Sequence, residues 1–503
     1  MHDQRSKSHV LLGLYVLGIT FGYATFAIAE PASWVSYQSR PDIRAPVLNV
    51  SINNENLVTP GYLFIAPYMT EKPGPYIFTA DGELVWSGSG GSTTEIFHDL
   101  HVCKYGGSDH LCYFQGTQIQ GYARGRNLIL NNNYQNVATV LSGNDLEESD
   151  MHELEVLDEE RMAFAVYQPR PHDLSEYGMK TPNGWVMDGV FQEVDIESGK
   201  VLFQWNSIDH VPLKDSYVPL GINPIVGDGI SNSTPWDYFH INSIDKSADG
   251  DYLISARHTS CIYKVSGKNG AVIWQLGGKN STIDQTNYNF SSQHDARFHE
   301  ENSTHTVLSL FDNGSNGYRN TSLTSSGMIV VIDHEHGTST LLQSFMAPGP
   351  GLRSTSQGNT QLLAGGNAVI GWGKNPSVSE HTADGTPVYF ATLTDPDAMN
   401  YRVFKYNWTA TPSDPPTLVA QAPAPNGATT FWVSWNGATD YTHWKFYGTT
   451  PGSDNFVLLS KLGKQGFQTT YTSPTFHPRA FAEAVAADGS SLKKSSEVNV
   501  LVP

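Results

Sequence analysis

The chain has 503 residues, 39% of them hydrophobic and 16% charged, with 46 Gly and 28 Pro, a composition that excludes disorder and collagen-like repeats. Its 49 Asp and Glu outweigh 30 Lys and Arg, a formal charge of −19 that repels phosphate backbones and anionic membranes, so nucleic acid is not an expected partner. The length exceeds what one hydrophobic core serves, which predicts a large domain and a smaller companion.

At the N-terminus Arg5 and Lys7 precede an apolar run from Val10 to Ala29 that ends Ala27-Ile28-Ala29. This order predicts a secretory signal peptide over residues 1–29. No other run is long and apolar enough to span a bilayer, so no membrane association is expected after cleavage. N-x-S/T sequons at Asn49, Asn232, Asn280, Asn289, Asn302, Asn313, Asn320 and Asn407 agree with passage through the secretory pathway and are candidate glycosylation sites. Cys103 and Cys112 flank a turn-forming segment and are expected to pair in that oxidising compartment; Cys261 lies in an apolar strand and reads as a buried thiol.

From residue 60 to 408 long amphipathic helices are scarce and short β-rich runs recur, so the fold class is all-β. One hairpin repeats at 76–86, 191–205 and 262–274, with a weaker copy at 328–345; each closes on an aromatic residue. A second unit opens on a polar signature at His152, His240, Gln293-His294 and Gln357-Gly358-Asn359. Two such units make one four-stranded blade, and their number predicts a six-bladed β-propeller over 30–408. A Pro-rich linker at 409–416 then leads to alternating strands over 417–503, expected to form a fibronectin-III or immunoglobulin-like β-sandwich.

In a propeller the heads of the innermost strands converge on a central channel, which brings His152, His240 and His294 together with Gln357 and Asn359. Imidazoles at equivalent repeat positions are candidates for chemistry or for a polar plug between blades. Arg257, His258, Arg297 and Arg319 lie near the same motifs as anion ligands, and Trp236, Tyr238 and Trp372 as stacking surfaces for an aromatic substrate. Three histidines satisfy the ligand count of a metal, but no cysteine or carboxylate pattern accompanies them, so neither metal nor other cofactor is expected.

The ordered motifs Gly189–Ile196, Phe203–Val211, Trp236–Ser243, Ser255–His258, Trp274–Gly278, Gln293–Asp295 and Leu310–Gly314 resemble the fungal branch of the arylsulfotransferase family. The resemblance implies a six-bladed propeller whose channel histidine carries a sulfuryl group from a phenolic sulfate to a phenol, without a nucleotide donor. It implies supporting roles for His240 and His294 and matches Arg319 to a sulfate-binding arginine. The carrier position falls near Gln357-Gly358-Asn359, where there is no histidine, and an amide is too weak a nucleophile to replace imidazole. Some members resemble hetero-Diels–Alderases, which join a quinone methide to an alkene by proximity and hydrogen bonding alone. The sequence therefore leads first to a cofactor-free cyclase of secondary metabolism acting on an aromatic small molecule, with His240, His294, Arg257 and His152 as catalytic candidates. The alternatives are an aryl sulfotransferase using His152, His240 or His294 as carrier, and a secreted propeller that only binds its ligand.

Overall fold

The computed structural model describes residues 33–88, 94–180 and 182–503; the expected signal peptide lies outside them. Six sheets form the blades of the propeller, antiparallel except where Asp284–Thr286 adds a parallel edge strand beside Thr338–Phe345. Their innermost strands are Met399–Tyr406 in blade 1, Ile96–Tyr105 in blade 2, Leu154–Val156 in blade 3, Ile241–Lys246 in blade 4, His294–Glu301 in blade 5 and Asn359–Leu362 in blade 6. The repeated hairpins of the sequence are the outer two strands of blades 1, 3 and 4 and the third and fourth strands of blade 5, and the polar signatures open the inner strands of blades 3 to 6.

The ring closes twice. Met399–Tyr406 pairs with Tyr62–Tyr68 to complete blade 1, and Leu48–Asn53 adds a fifth strand to the outer edge of blade 6 beside Pro387–Leu393. Both closures satisfy backbone edges that an open sheet would leave unpaired.

The inner strands are irregular where they meet the channel. Their pairing shifts register between His98 and His101, Ile241 and Ser243, His294 and Arg297, and Asn400 and Val403. Asp99, His240, Asp295 and Gln357 take left-handed φ values of 59°, 58°, 55° and 67°. Such a conformation costs a residue with a Cβ about 1–2 kcal/mol, and bulges re-aim side chains that a regular strand would alternate. Four of the six inner-strand heads carry such a residue.

The C-terminal strands form a sandwich: Thr417–Gln421, Thr429–Ser434 and Gln468–Ser473 in one sheet, and Val457–Gly463, Tyr441–Gly448, Arg479–Ala486 and Ser491–Lys494 in the other, with Val498–Asn499 also paired to Arg479–Ala486. Phe431, Trp444 and Phe446 are fully buried between the sheets. The sandwich docks on blades 1 and 2. Trp86 stacks on Tyr134 at 4.7 Å, Tyr134 donates to the Gly437 carbonyl at 2.8 Å, and the Ser87 backbone exchanges two 2.9 Å hydrogen bonds with the Asn436 amide. Gly437 is at φ 92°, and a Cβ there would stand 2.3 Å from the Tyr134 ring, so only glycine permits this approach. The Pro-rich connection is correspondingly packed: Ala410 is buried and the Thr411 N–H donates to the Asn132 carbonyl. Cys103 and Cys112 form a disulfide with Cα atoms 5.9 Å apart, and Cys261 is a buried free thiol.

Candidate active site

The heads of the inner strands and the loops above them enclose a cavity of about 540 Å³ lined by His152, His240, His258, His294, Arg257, Gln357, Tyr68 and Tyr401, with Met69, Met151, Ile225, Val226 and Met399 on its apolar wall. His258 and Arg257 come from the turn after Tyr252–Ala256. The backbone N–H groups of Arg257 and His258 donate to the carbonyls of His240 and Phe239, which fixes that turn beside the head of blade 4.

Each imidazole is oriented through Nδ1. His152 Nδ1 bonds to the Asp150 carboxylate. His240 Nδ1 donates to Asp237 Oδ2 at 2.5 Å, and His258 Nδ1 donates to the Asp237 carbonyl at 2.6 Å. A carbonyl only accepts, so the His258 proton sits on Nδ1 and its Nε2 carries the lone pair. The rings of His152 and His240 lie 4.7 Å apart and edge-on, and those of His240 and His258 4.5 Å apart. Burial pushes His240 well below the usual imidazole range, helped by the neighbouring His152, and pushes His258 down to about 3. It also raises the Asp237 carboxyl, against which His258, His152 and Arg257 pull it back. The result is that His240 and His258 are neutral, each with a lone pair on Nε2 toward the cavity.

His294 differs. Its Nδ1 bonds to Asn313 Oδ1 at 2.7 Å, and its Nε2 accepts the Gln357 backbone N–H at 3.2 Å, so its lone pair is already used. Gln357 donates from Nε2 to the Tyr68 hydroxyl.

Asp237, His240 and His258 also lie close enough to suggest a metal site. Their hydrogen bonding opposes it: the Nδ1 atoms nearest the Asp237 carboxylate are occupied as donors, so a cation between the three groups would have to displace both protons.

Beneath the imidazoles the channel is closed by ions. Arg402, 2% exposed, reaches from blade 1 to Asp99 Oδ1 and Glu153 Oε1 at 2.9 Å each, to the Asn242 carbonyl at 2.8 Å and to Asp295 at 3.5 Å. Arg297 joins Glu153 at 2.7 Å and Asp295 at 2.9 Å. Five blades are thereby tied to one guanidinium.

Several expected site residues are elsewhere. Arg297 belongs to this floor and is spent on carboxylates, not on a ligand. Asn359 braces blade 6 to blade 1 through both bonds to the Val403 backbone. Trp236 donates to the Val218 carbonyl, Tyr238 to Ser207 and Trp372 to Ser379; all three are buried in blade packing and none lines the cavity, where Tyr68, Tyr401 and Tyr318 supply the aromatic surface. Arg319 borders an adjoining pocket. Asn313 is fully buried and its Nδ2 donates to the Ser354 and Gln357 carbonyls, so it is unavailable to a glycan; the other seven sequon asparagines are exposed.

Asp150, Asp237 and His98 were not among the expected site residues, and Asn313 was expected only as a sequon. Spacing held a signal for two of them, since Asp150 and Asp237 precede their histidines by two and three residues. His98-Asp99 repeats the pattern of His152-Glu153 and His294-Asp295 in blade 2. His98 packs on Tyr68 and Tyr401, and neither ring nitrogen has a hydrogen-bond partner among the described residues.

The sequence profile of the arylsulfotransferase (ASST) family matches residues 101–393, more than half of the chain. The protein belongs to the arylsulfotransferase family. No curated protein sequence matches it. Among solved structures this arylsulfotransferase-family chain is similar to a protein of unknown function from Bacteroides caccae (12% identity, TM-score 0.41, 69% of this chain and 99% of that one). It is also similar to AztD from Citrobacter koseri (12%, 0.30, 69% and 99%) and to the GH43 protein BlXynB from Bacillus licheniformis (7%, 0.29, 80% and 89%).

Proposed function

We propose that the protein transfers a sulfuryl group from an aryl sulfate to a phenol, with His240 as carrier and no nucleotide donor. The observation that carries this reading is the pair of edge-on imidazoles, His152 and His240, each bonded through Nδ1 to its own buried carboxylate beside the cavity. The lone pair of His240 Nε2 attacks sulfur, the S–O bond to the aryl group breaks, and the phenoxide leaves with the electron pair and takes up a proton. The sulfurylated ring is cationic, and Asp237 stabilises it through Nδ1–H. In the second half-reaction His152 Nε2 takes the proton of the acceptor phenol while its oxygen attacks sulfur and His240 leaves. Arg257 supplies the charge opposite the sulfate oxygens; its Nη2 is anchored on the Thr355 carbonyl at 2.5 Å and it forms no ion pair among the described residues.

The test is incubation with 4-nitrophenyl sulfate and a phenol, followed by nitrophenol release and intact mass. Release with a sulfuryl adduct that is absent in His240→Ala supports the reading; folded protein that gives neither refutes it.

The apolar wall of Met69, Met151, Ile225, Val226 and Met399 favours a second reading, cycloaddition of a quinone methide with an alkene. It needs donors near the ring but no nucleophile, so His240→Gln would retain its rate. For either chemistry we propose passage through the secretory pathway, supported by the disulfide and the seven exposed sequons.

A further inference from the structure

A second pocket, of about 250 Å³, adjoins the main cavity and shares Arg257, His258 and Asn316 with it. Tyr217, Val218 and Phe290 give its lining apolar and aromatic surface, and Arg319, Gln285, Ser291 and Ser292 line the same pocket with polar groups. Arg319 is exposed and held through its backbone N–H, which donates to Asn316 Oδ1 at 2.8 Å, and its guanidinium enters no ion pair among the described residues. That is notable in a chain of formal charge −19, where the arginines of the channel floor are each surrounded by carboxylates. Arg257, which lines both pockets, likewise has no ion pair among the described residues, and its Nε is buried with no hydrogen-bond partner among them. Lys374, exposed at the rim of the main cavity, completes a cationic mouth on an acidic protein.

We propose that this pocket is a subsite for a carboxylate borne by the aromatic substrate, so that the protein selects carboxylated phenols over neutral ones. Aromatic surface and an arginine without an ion pair among the described residues line one pocket. A benzene ring placed against Tyr217 and Phe290 buries its faces, and a carboxylate on that ring meets a planar guanidinium fork whose geometry matches it. The sulfate of a donor does not need this second cation, because Arg257 already faces the histidines. Arg319 therefore reads a group that does not react, and binding energy from such a remote group positions the reacting one.

The phenol at the other end of the ligand is taken from the sulfuryl-transfer reading, but the test measures binding and does not require turnover. Using the full chain, calorimetry compares 4-hydroxyphenylacetate with its neutral counterpart 4-ethylphenol. The carboxylate ligand should bind about tenfold or more tightly, and Arg319→Gln should abolish that preference while leaving 4-ethylphenol affinity within about twofold and the unfolding midpoint unchanged. A second variant, Tyr217→Ala, should weaken both ligands. Equal affinities in the wild type, or a preference that survives Arg319→Gln, overturn the subsite. Preferential binding without sulfation overturns the transfer reading and leaves the subsite standing; sulfation of both phenols with equal kcat/KM does the reverse.

Discussion

Replacing Asp237 by Asn isolates what the carboxylate does for His240. The change is isosteric and the residue is buried, so packing is kept while one charge is removed. Oδ2 lies 2.5 Å from His240 Nδ1. The sulfuryl-bearing Nε2 is across the ring, which puts the centre of the new positive charge roughly 4.5 Å from the carboxylate; at an effective dielectric of about 20 their attraction is about 4 kcal/mol. An Asn amide can also turn its NH₂ toward Nδ1, which moves the ring proton to Nε2 and removes the attacking lone pair. Both effects act on the transition state and little on substrate binding, so kcat should fall by about 10³-fold with KM nearly unchanged. The assay is steady-state nitrophenol release from 4-nitrophenyl sulfate, with near-ultraviolet circular dichroism to confirm the fold. A folded Asp237→Asn protein within tenfold of wild-type kcat would refute the carrier role of the dyad.

Two further outcomes follow from the channel itself. Arg402→Met leaves Glu153 and Asp295 with Arg297 alone and Asp99 with no ion pair among the described residues, and the loss of one partner from a buried ion network costs about 3–5 kcal/mol; a urea midpoint that moves by less than the equivalent of about 1 kcal/mol would show that the floor does not tie the blades. Burial pushes His98 down to about 3, below the unfolded value of about 6.5, so the unfolded chain binds more protons between those values. Stability from this group is complete above about pH 6.5 and falls as pH drops toward 3. Asp312, pushed up to about 6 by burial, acts with the opposite sign, so the contribution of His98 is read as a difference. The stability advantage of His98→Phe over wild type should grow by about 2 kcal/mol between pH 7 and pH 5. An unchanged difference in chemical denaturation at the two pH values would contradict the assignment.

Much of the architecture was legible because each blade repeats a local pattern. Strand, turn and strand closing on an aromatic are written within some fifteen residues, and the polar heads of the inner hairpins mark where each blade meets the channel. His152, His240 and His294 were found in this way, as were Arg257 and His258 on the neighbouring turn. Aromatic residues near those motifs were misleading, because sequence proximity does not say which side of a bulged strand faces the channel. Trp236, Tyr238 and Trp372 point into the blade packing, and their polar atoms are consumed there.

The sequence alone determined the propeller, the sandwich behind it and the histidines at the strand heads, since periodicity, turn chemistry and repeat spacing are local properties. Which of those histidines keeps a free lone pair was decided by the tertiary structure. His294 loses its own to the backbone of Gln357, 63 residues away, while His240 keeps its own through a carboxylate three residues before it. Likewise Arg297 and Arg402 became the floor, and Arg257 and Arg319 were left without an ion pair among the described residues, because the closing of the ring sets which carboxylates of other blades come within reach of each guanidinium. Charge pairing between blades is a long-range fact, and no window of the sequence contains both partners.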